Sequence, residues 1–131
     1  MAEPVWLTRA QAEAIHLSQV REHGGSHGLR DGDLLESALA RPRNLWHYES
    51  EADIFSLAAA YGYGVIRNHS FVDGNKRTGF ACAGVFLLAN GWELRAEEPE
   101  AVLVIRDVAA GELGEAELVA WLRDRSEPAK E

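Results

Sequence analysis

The chain has 131 residues, 47% of them hydrophobic, which predicts one globular domain spanning residues 1–131. Its 21 acidic and 13 basic residues give a net charge of −8, so we expect no direct binding to a nucleic acid backbone. Cys82 is the only cysteine, which excludes an intrachain disulfide and favours a reducing, cytoplasmic location. We expect no secretory signal and no membrane partner, because the N-terminus is acidic and the apolar stretch around residues 80–89 is too short to span a bilayer.

Cap residues, helix-stopping residues and apolar residues at helical spacing predict an all-α fold of about six helices. The predicted helices cover residues 8–24, 31–42, 53–68, 76–90 and 99–110, with a sixth around 118–122. Thr8 and Gln11 form a capping box at the start of the first helix. Asp31 or Asp33 is expected to cap a short second helix, which Pro42 is expected to stop.

Three features predict where segments lie in this bundle. The fourth helix is expected at its centre, because its apolar residues lie on all sides. These residues are Phe80, Ala81, Cys82, Ala83, Val85, Phe86, Leu87, Leu88 and Ala89. His16, in the first helix, is expected on the surface. The aromatic segment 43–49 predicts a turn-containing connection between the second and third helices.

The most informative segment lies directly before the fourth helix, where residues 69–79 read His-Ser-Phe-Val-Asp-Gly-Asn-Lys-Arg-Thr-Gly. The N-terminus of a helix attracts anions, because its first N–H groups lack partners within the helix. Asp73 offers the carboxylate oxygens that Mg²⁺ prefers. Lys76 and Arg77 can pair with phosphate, and His69 can remove a proton from a hydroxyl near neutral pH. The segment therefore indicates phosphate chemistry.

Each of these residues also has a structural alternative. His69 can be an ordinary loop histidine, and Asp73 can simply form a turn with the glycine that follows it. Cations are unfavourable at the positive end of a helix, however, so Lys76 and Arg77 indicate an anion there. Phe71, the apolar residue of the loop, is interpreted as the anchor that fixes the loop to the core. The joint spacing of the polar residues favours a functional site.

This segment resembles the signature of the Fic/Doc superfamily, whose Fic members carry H-P-F-x-D/E-G-N-G-R. The run Asn75-Lys76-Arg77 matches the Doc-type variant, in which a lysine precedes the arginine, while Ser70 stands where Fic members have proline. Residues 28–31, 34–38 and 41–42 also resemble the N-terminal half of Doc-type chains. The resemblance implies a compact Fic-like bundle, with a short flap at residues 43–49 that aligns a target segment by strand-like pairing.

The resemblance also implies an activity. Fic members transfer the nucleotidyl part of ATP, and their glycine before the arginine leaves room for a phosphate. Lys76 fills that position with a long side chain, as in Doc-type toxins that transfer the γ-phosphoryl group of ATP to a protein hydroxyl. The implied function is a bacterial cytoplasmic toxin kinase that phosphorylates a Thr or Ser residue, with elongation factor Tu as the expected target, and so blocks translation.

The resemblance assigns roles to six residues of the loop and the helix start. His69 is the implied general base, and Asp73 is the implied Mg²⁺ ligand. Lys76 and Arg77 are the implied catalytic cations. The implied ATP-binding residues are Gly74, Asn75, Lys76 and Arg77.

A partner and two alternatives complete these expectations. The nearest match to the inhibitory Fic motif, Ser18–Glu22, fails at its last position, His23. We therefore expect inhibition in trans by a small antitoxin whose disordered C-terminal segment folds on binding. The alternatives that stay open are AMP transfer of the Fic type, and a catalytically silent module for nucleotide binding or partner docking.

Overall fold

A computed structural model describes residues 1–130, which form six helices and one two-stranded sheet. The helices are α1 (Arg9–His23), α2 (Gly32–Tyr48), α3 (Ile54–Asn68), α4 (Asn75–Ala89), α5 (Glu98–Ala110) and α6 (Glu115–Asp124). Strands β1 (Trp92–Leu94) and β2 (Ser126–Pro128) pair antiparallel, with Glu93 opposite Glu127. The predicted all-α bundle is therefore confirmed. Among the described residues, no helix is both long enough and apolar enough to cross a membrane.

The predicted helix starts agree with the observed caps. The Thr8 hydroxyl accepts a hydrogen bond from the Gln11 N–H at 3.1 Å, and the Gln11 side chain accepts one from the Thr8 N–H at 2.8 Å. Asp31, rather than Asp33, caps α2, because its Oδ1 accepts from the N–H groups of Asp33 and Leu34 at 3.0 and 3.1 Å. Local side-chain chemistry thus decides where these helices begin.

The prediction that Pro42 stops the second helix is wrong, because α2 continues through it to Tyr48. Proline has no N–H for the carbonyl of Ala38, four residues earlier, and so costs the helix one hydrogen bond. Pro42 is fully buried, and α2 packs closely on α3, where a Cβ built at Gly64 would lie 3.4 Å from the Ala38 Cα. Packing of the whole helix against α3 outweighs the lost hydrogen bond.

The predicted flap at residues 43–49 is also wrong, because α2 does not stop at Pro42. Residues 43–48 form the last turns of α2, and Glu49 is its C-cap. Backbone groups inside a helix are already paired, so this segment offers no free edge for strand-like pairing.

The helix at the centre of the bundle is α3, not α4 as predicted. Ten of the 15 residues of α3 are buried, and α2, α4, α5 and α6 all pack against it. In α4, by contrast, Val85 is 40% exposed and Leu88 is 58% exposed. The small side chains of α3, which include a run of three alanines at residues 58–60, let four neighbours approach it closely.

Two glycines allow α3 and α4 to come into close contact. A Cβ built at Gly79 would lie 2.9 Å from the carbonyl oxygen of Gly62 and 2.5 Å from Cγ1 of Ile66. Gly79 follows the first turn of α4, so this contact fixes the N-terminus of α4 against α3. The end of the loop that leads into α4 is thereby fixed against α3.

Candidate active site

The loop of residues 69–74 joins α3 to α4 and begins with an unusual backbone conformation. His69 ends α3 with φ 51° and ψ 49°, and it is the only residue other than glycine with a positive φ in residues 1–130. The left-handed region is unfavourable for residues with a Cβ, although histidine is enriched there. This conformation turns the chain away from the α3 axis and leaves the His69 side chain exposed.

Arg30 holds this turn in place. Its side-chain Nε–H donates to the carbonyl oxygen of His69 at 2.7 Å, and its backbone N–H donates to the carbonyl oxygen of Ser70 at 2.8 Å. The backbone N–H of Asp31 donates to the same Ser70 oxygen at 3.0 Å. The two carbonyl groups just beyond the end of α3 are therefore paired with Arg30 and Asp31, which precede α2. The sequence pattern alone did not reveal this contact.

A short strand-like contact continues from this point. Leu29 and Phe71 form an isolated antiparallel bridge, and the Val72 N–H donates to the Gly28 carbonyl oxygen at 3.0 Å. Phe71 itself is buried, which confirms its prediction as the anchor of the loop. Strand-like pairing beside the loop is thus provided by residues 28–30, not by residues 43–49.

Two backbone N–H groups orient the Asp73 carboxylate. Its Oδ2 accepts from the Ser26 N–H at 3.2 Å, and its Oδ1 accepts from the Gly74 N–H at 2.8 Å. The hydrogen bond from Ser26, followed by that from Gly74, holds the pKa of Asp73 below its ordinary value, so the group is ionised at neutral pH. Gly25 lies so close that a Cβ there would be 2.8 Å from Asp73 Oδ2. The carboxylate is exposed and keeps lone pairs for a cation.

Asn75 ties the end of the loop to its middle. Its Oδ1 accepts from the Phe71 N–H at 3.0 Å, and its Nδ2 donates to the Phe71 carbonyl oxygen at 2.9 Å. Asn75 is 8% exposed, so both hydrogen bonds are shielded from water. The side chain therefore braces the loop, and ligand binding through Asn75 stays a prediction.

The N-terminus of α4 is open and positively charged. Its N-cap, Gly74, makes no side-chain hydrogen bond to the helix, so the first N–H groups remain available. Lys76 and Arg77 are exposed, and within the described residues neither forms an ion pair with a carboxylate. Two unpaired cations beside a positive helix end attract an anion.

A cavity of about 280 Å³ lies over this helix end, between the loop and α1. It brings together every residue to which a site role was predicted from the sequence: His69, Asp73, Gly74, Asn75, Lys76 and Arg77. Gln19 and Val20 of α1 form part of its wall. The cavity thus combines an exposed imidazole, an ionised carboxylate and two cations.

The prediction that His16 lies on the surface is wrong. His16 is 4% exposed, its ring stacks on Phe71 with centroids 3.9 Å apart, and its Nε2 lies 2.7 Å from the carbonyl oxygen of Asp73. A pattern in α1 could have revealed this, because His16 lies four residues from both Ala12 and Val20, which are also buried.

This architecture defines a class of protein: a helical bundle that presents a histidine beside an anion-attracting helix end. Comparison with known proteins identifies the class, since residues 6–87 match the model of the Fic/DOC family. The chain is 31% identical over 110 residues to the protein named Protein kinase doc from Escherichia phage P1, an alignment that covers 84% of this chain and 86% of that relative. It is 41% identical over 75 residues to Toxin Doc from Mycolicibacterium smegmatis, covering 56% of this chain and 58% of that relative. The chain therefore belongs to the Fic/DOC family.

Proposed function

We propose that this chain is a Doc-type toxin kinase that transfers the γ-phosphoryl group of ATP to a Thr or Ser hydroxyl of a protein. The observation that carries the proposal is the meeting of His69, Asp73, Lys76 and Arg77 around one cavity at an open helix N-terminus. The similarity to relatives named as a protein kinase and as a toxin supports the same reading.

The residues present fit Mg²⁺ that is bound together with a triphosphate. Residues 1–130 contain no group of three or more His, Cys, Asp or Glu side chains that could hold a metal by themselves. Mg²⁺ commonly keeps several waters and binds through one or two carboxylates plus phosphate oxygens. Asp73, ionised and exposed beside the anion-attracting end of α4, suits that mode. When bound, the metal would neutralise phosphate charge.

The chain's own residues supply positioning and electrostatics for phosphoryl transfer. His69 accepts the proton of the target hydroxyl as its oxygen forms a bond to the γ-phosphorus. The bond between that phosphorus and the β–γ bridging oxygen breaks, and ADP leaves with the electron pair. Lys76 and Arg77 stabilise the negative charge on the phosphoryl oxygens during transfer. The first N–H groups of α4, which follow Gly74, cradle the phosphates.

Lys76 favours γ-phosphoryl transfer over AMP transfer. It is the second residue of α4 and lines the cavity, at the position where Fic members have a glycine. A lysine side chain takes up the space that a phosphate uses in the Fic orientation of ATP and provides a cation in its place. The reverse orientation, with the γ-phosphate nearest His69, is the one that this side chain accommodates.

Similarity to relatives named as Doc toxins supports a proposed target and a proposed partner. The proposed target is elongation factor Tu in the bacterial cytoplasm, so that phosphorylation blocks translation. The proposed inhibitor is a small antitoxin whose C-terminal segment folds on this domain. Co-purification with the product of a neighbouring gene tests the second point, and the absence of any such affinity would contradict it.

The deciding experiment incubates the purified chain with Mg²⁺, bacterial lysate and purified elongation factor Tu. Parallel reactions contain ATP labelled on either the γ- or the α-phosphate. We expect protein labelling from the γ-phosphate alone, lost in His69→Ala and on removal of Mg²⁺ with a chelator. Labelling from the α-phosphate would establish AMP transfer instead, and the absence of any labelling would favour a silent binding module.

A matched variant tests the role of Lys76. Lys76→Gly restores the residue of Fic members without altering His69, Asp73 or Arg77. If Lys76 sets the orientation of ATP, this variant loses γ-labelling and gains α-labelling. Unchanged γ-labelling in Lys76→Gly would show that another feature of the site selects the phosphate.

A further inference from the structure

We propose that His16 is a positioning residue for the metal-binding carboxylate of Asp73, an inference that rests on the function proposed above. His16 lies on α1, outside the loop, and contacts the loop at the Asp73 backbone and at the Phe71 ring. Its Nε2 lies 2.7 Å from the carbonyl oxygen of Asp73. A carbonyl oxygen can only accept, so the Nε2 of His16 carries the proton in this contact.

The hydrogen bond from His16 controls more than one atom, because the peptide group is planar. The Asp73 carbonyl and the Gly74 N–H belong to the same peptide unit and point in opposite directions. That Gly74 N–H donates to Oδ1 of the Asp73 side chain at 2.8 Å. By fixing the carbonyl, His16 therefore fixes the donor that orients the carboxylate.

The His16 ring itself is rigidly placed. It is buried, with 4% exposure, and stacks almost parallel on Phe71, with an interplanar angle of 7°. Gly74 also lies against it, since a Cβ built there would be 3.6 Å from His16 Nε2. The imidazole thus contacts the loop at its anchor and at the peptide that follows Asp73.

Two variants separate the hydrogen bond from the packing. His16→Phe keeps an aromatic ring against Phe71 but removes the donor. His16→Gln removes the ring but keeps an N–H donor at nearly the same reach. A residue that only fills the core would tolerate Phe better than Gln, whereas a residue that positions the Asp73 peptide would tolerate Gln better than Phe.

The main measurement is the Mg²⁺ concentration needed for half-maximal binding of a non-hydrolysable fluorescent ATP analogue. We expect His16→Phe to raise it about 10- to 100-fold, the usual effect of removing a partner that orients a metal ligand. We expect His16→Gln to stay within a few-fold of the wild type. Asp73→Asn serves as the reference for complete loss of Mg²⁺ dependence.

A second measurement needs no ligand. The hydrogen exchange rate of the Gly74 amide, followed by NMR in the free chain, reports whether its N–H is still held by Asp73. We expect faster exchange in His16→Phe but not in His16→Gln, while the melting temperatures of the two variants show whether each is folded.

The outcomes distinguish this inference from the function on which it rests. An unchanged Mg²⁺ requirement and an unchanged Gly74 amide in folded His16→Phe would overturn the role of His16 alone. An equal rise of the Mg²⁺ requirement in both variants, in proportion to the fall of their melting temperatures, would also overturn it and would show that His16 only packs. A wild-type chain that binds no nucleotide with Mg²⁺ would overturn the proposed function and this inference with it.

Discussion

The loop of residues 69–74, which carries the proposed site, and the crossing of α3 and α4 at Gly62 and Gly79 meet at the start of α4, but different forces hold them. The crossing is a contact between helix backbones, with no space for a side chain at Gly79. The loop is held by hydrogen bonds between its backbone and the side chains of Arg30 and Asn75. Close packing places the helix end, and directional polar contacts aim the functional groups around it.

The two regions also differ in strain. The crossing uses glycine where a Cβ does not fit, whereas the loop keeps a histidine in the left-handed conformation that favours glycine. Residues held in such conformations cluster at functional sites, where the surrounding structure compensates for their cost. The left-handed conformation of His69 therefore costs stability while it leaves the imidazole exposed. The crossing avoids a comparable cost because its residues are glycines.

The largest expected effect comes from breaking the loop at its strained residue. His69→Gly removes the proposed base, and we expect transfer to fall by about 10²- to 10⁴-fold. The same change relieves the left-handed strain, and we expect the free energy of unfolding to rise by about 1 kcal/mol. Labelling assays and urea unfolding measure the two effects separately. His69→Asn is the control, because asparagine tolerates this conformation, so it should lose transfer without the gain in stability.

The next largest effect tests the crossing. Gly79→Ala places a Cβ 2.9 Å from a backbone oxygen that cannot rotate away, and we expect the free energy of unfolding to fall by about 3 kcal/mol. Gly84→Ala, on the same helix, meets only Leu94 Cδ2, at 4.0 Å, and is expected to raise stability by about 0.5–1 kcal/mol. Equal effects at both glycines in urea unfolding would contradict the role assigned to the crossing.

Asn75 belongs to both regions, since it begins α4 and braces the loop. Asn75→Ala leaves the N–H and carbonyl of Phe71 buried without these partners. We expect the free energy of unfolding to fall by about 2 kcal/mol and transfer to be lost. Asn90, just beyond the other end of α4, likewise ties a segment through its side chain, to the backbone of Val5 at 2.8 and 3.0 Å. Asn90→Ala should therefore lower stability but leave transfer intact. Loss of transfer in both variants would show that overall stability, not the loop, limits activity.

The smallest expected effect concerns Ser70, a buried residue of the loop whose hydroxyl has no hydrogen-bond partner within the described residues. A buried hydroxyl without a partner is unfavourable, so Ser70→Ala should raise the free energy of unfolding by about 1 kcal/mol. Ser56→Ala is the contrasting variant, because its hydroxyl donates to Asp53 at 3.1 Å and its loss should be destabilising. A destabilised Ser70→Ala variant in urea unfolding would reveal a partner for this hydroxyl.

Local chemistry explains which parts of the fold were predictable. Thr8, Asp31 and Asp53 each cap a helix through groups no more than three residues away, so the local sequence contains everything that decides the helix start. The effect of Pro42 on α2 could not be predicted, because it depends on distant residues rather than on near ones. Its effect on the helix depends on burial against α3, and proline's local preference says nothing about that packing.

The local pattern also failed to predict which helix lies at the centre of the bundle, since it indicated α4 rather than α3. The apolar residues of α4 surround the helix in the sequence, yet Val85 and Leu88 face solvent. The alanines of α3 look less hydrophobic, but their small size lets several helices pack closely around that helix. Hydrophobicity predicts that a helix is buried in part, whereas side-chain volume and shape decide which helix its neighbours can surround.

The sequence by itself determined the order of chemical groups in the loop, the helix that follows it and the family to which the chain belongs. Only the tertiary structure decided what holds that loop. His16 reaches the Asp73 carbonyl across 57 residues, and Arg30 reaches the His69 carbonyl across 39. Such contacts depend on how α1 and the segment before α2 pack against the start of α4. A pattern of neighbouring residues encodes local conformation, but only the packed chain brings distant donors to a particular peptide group.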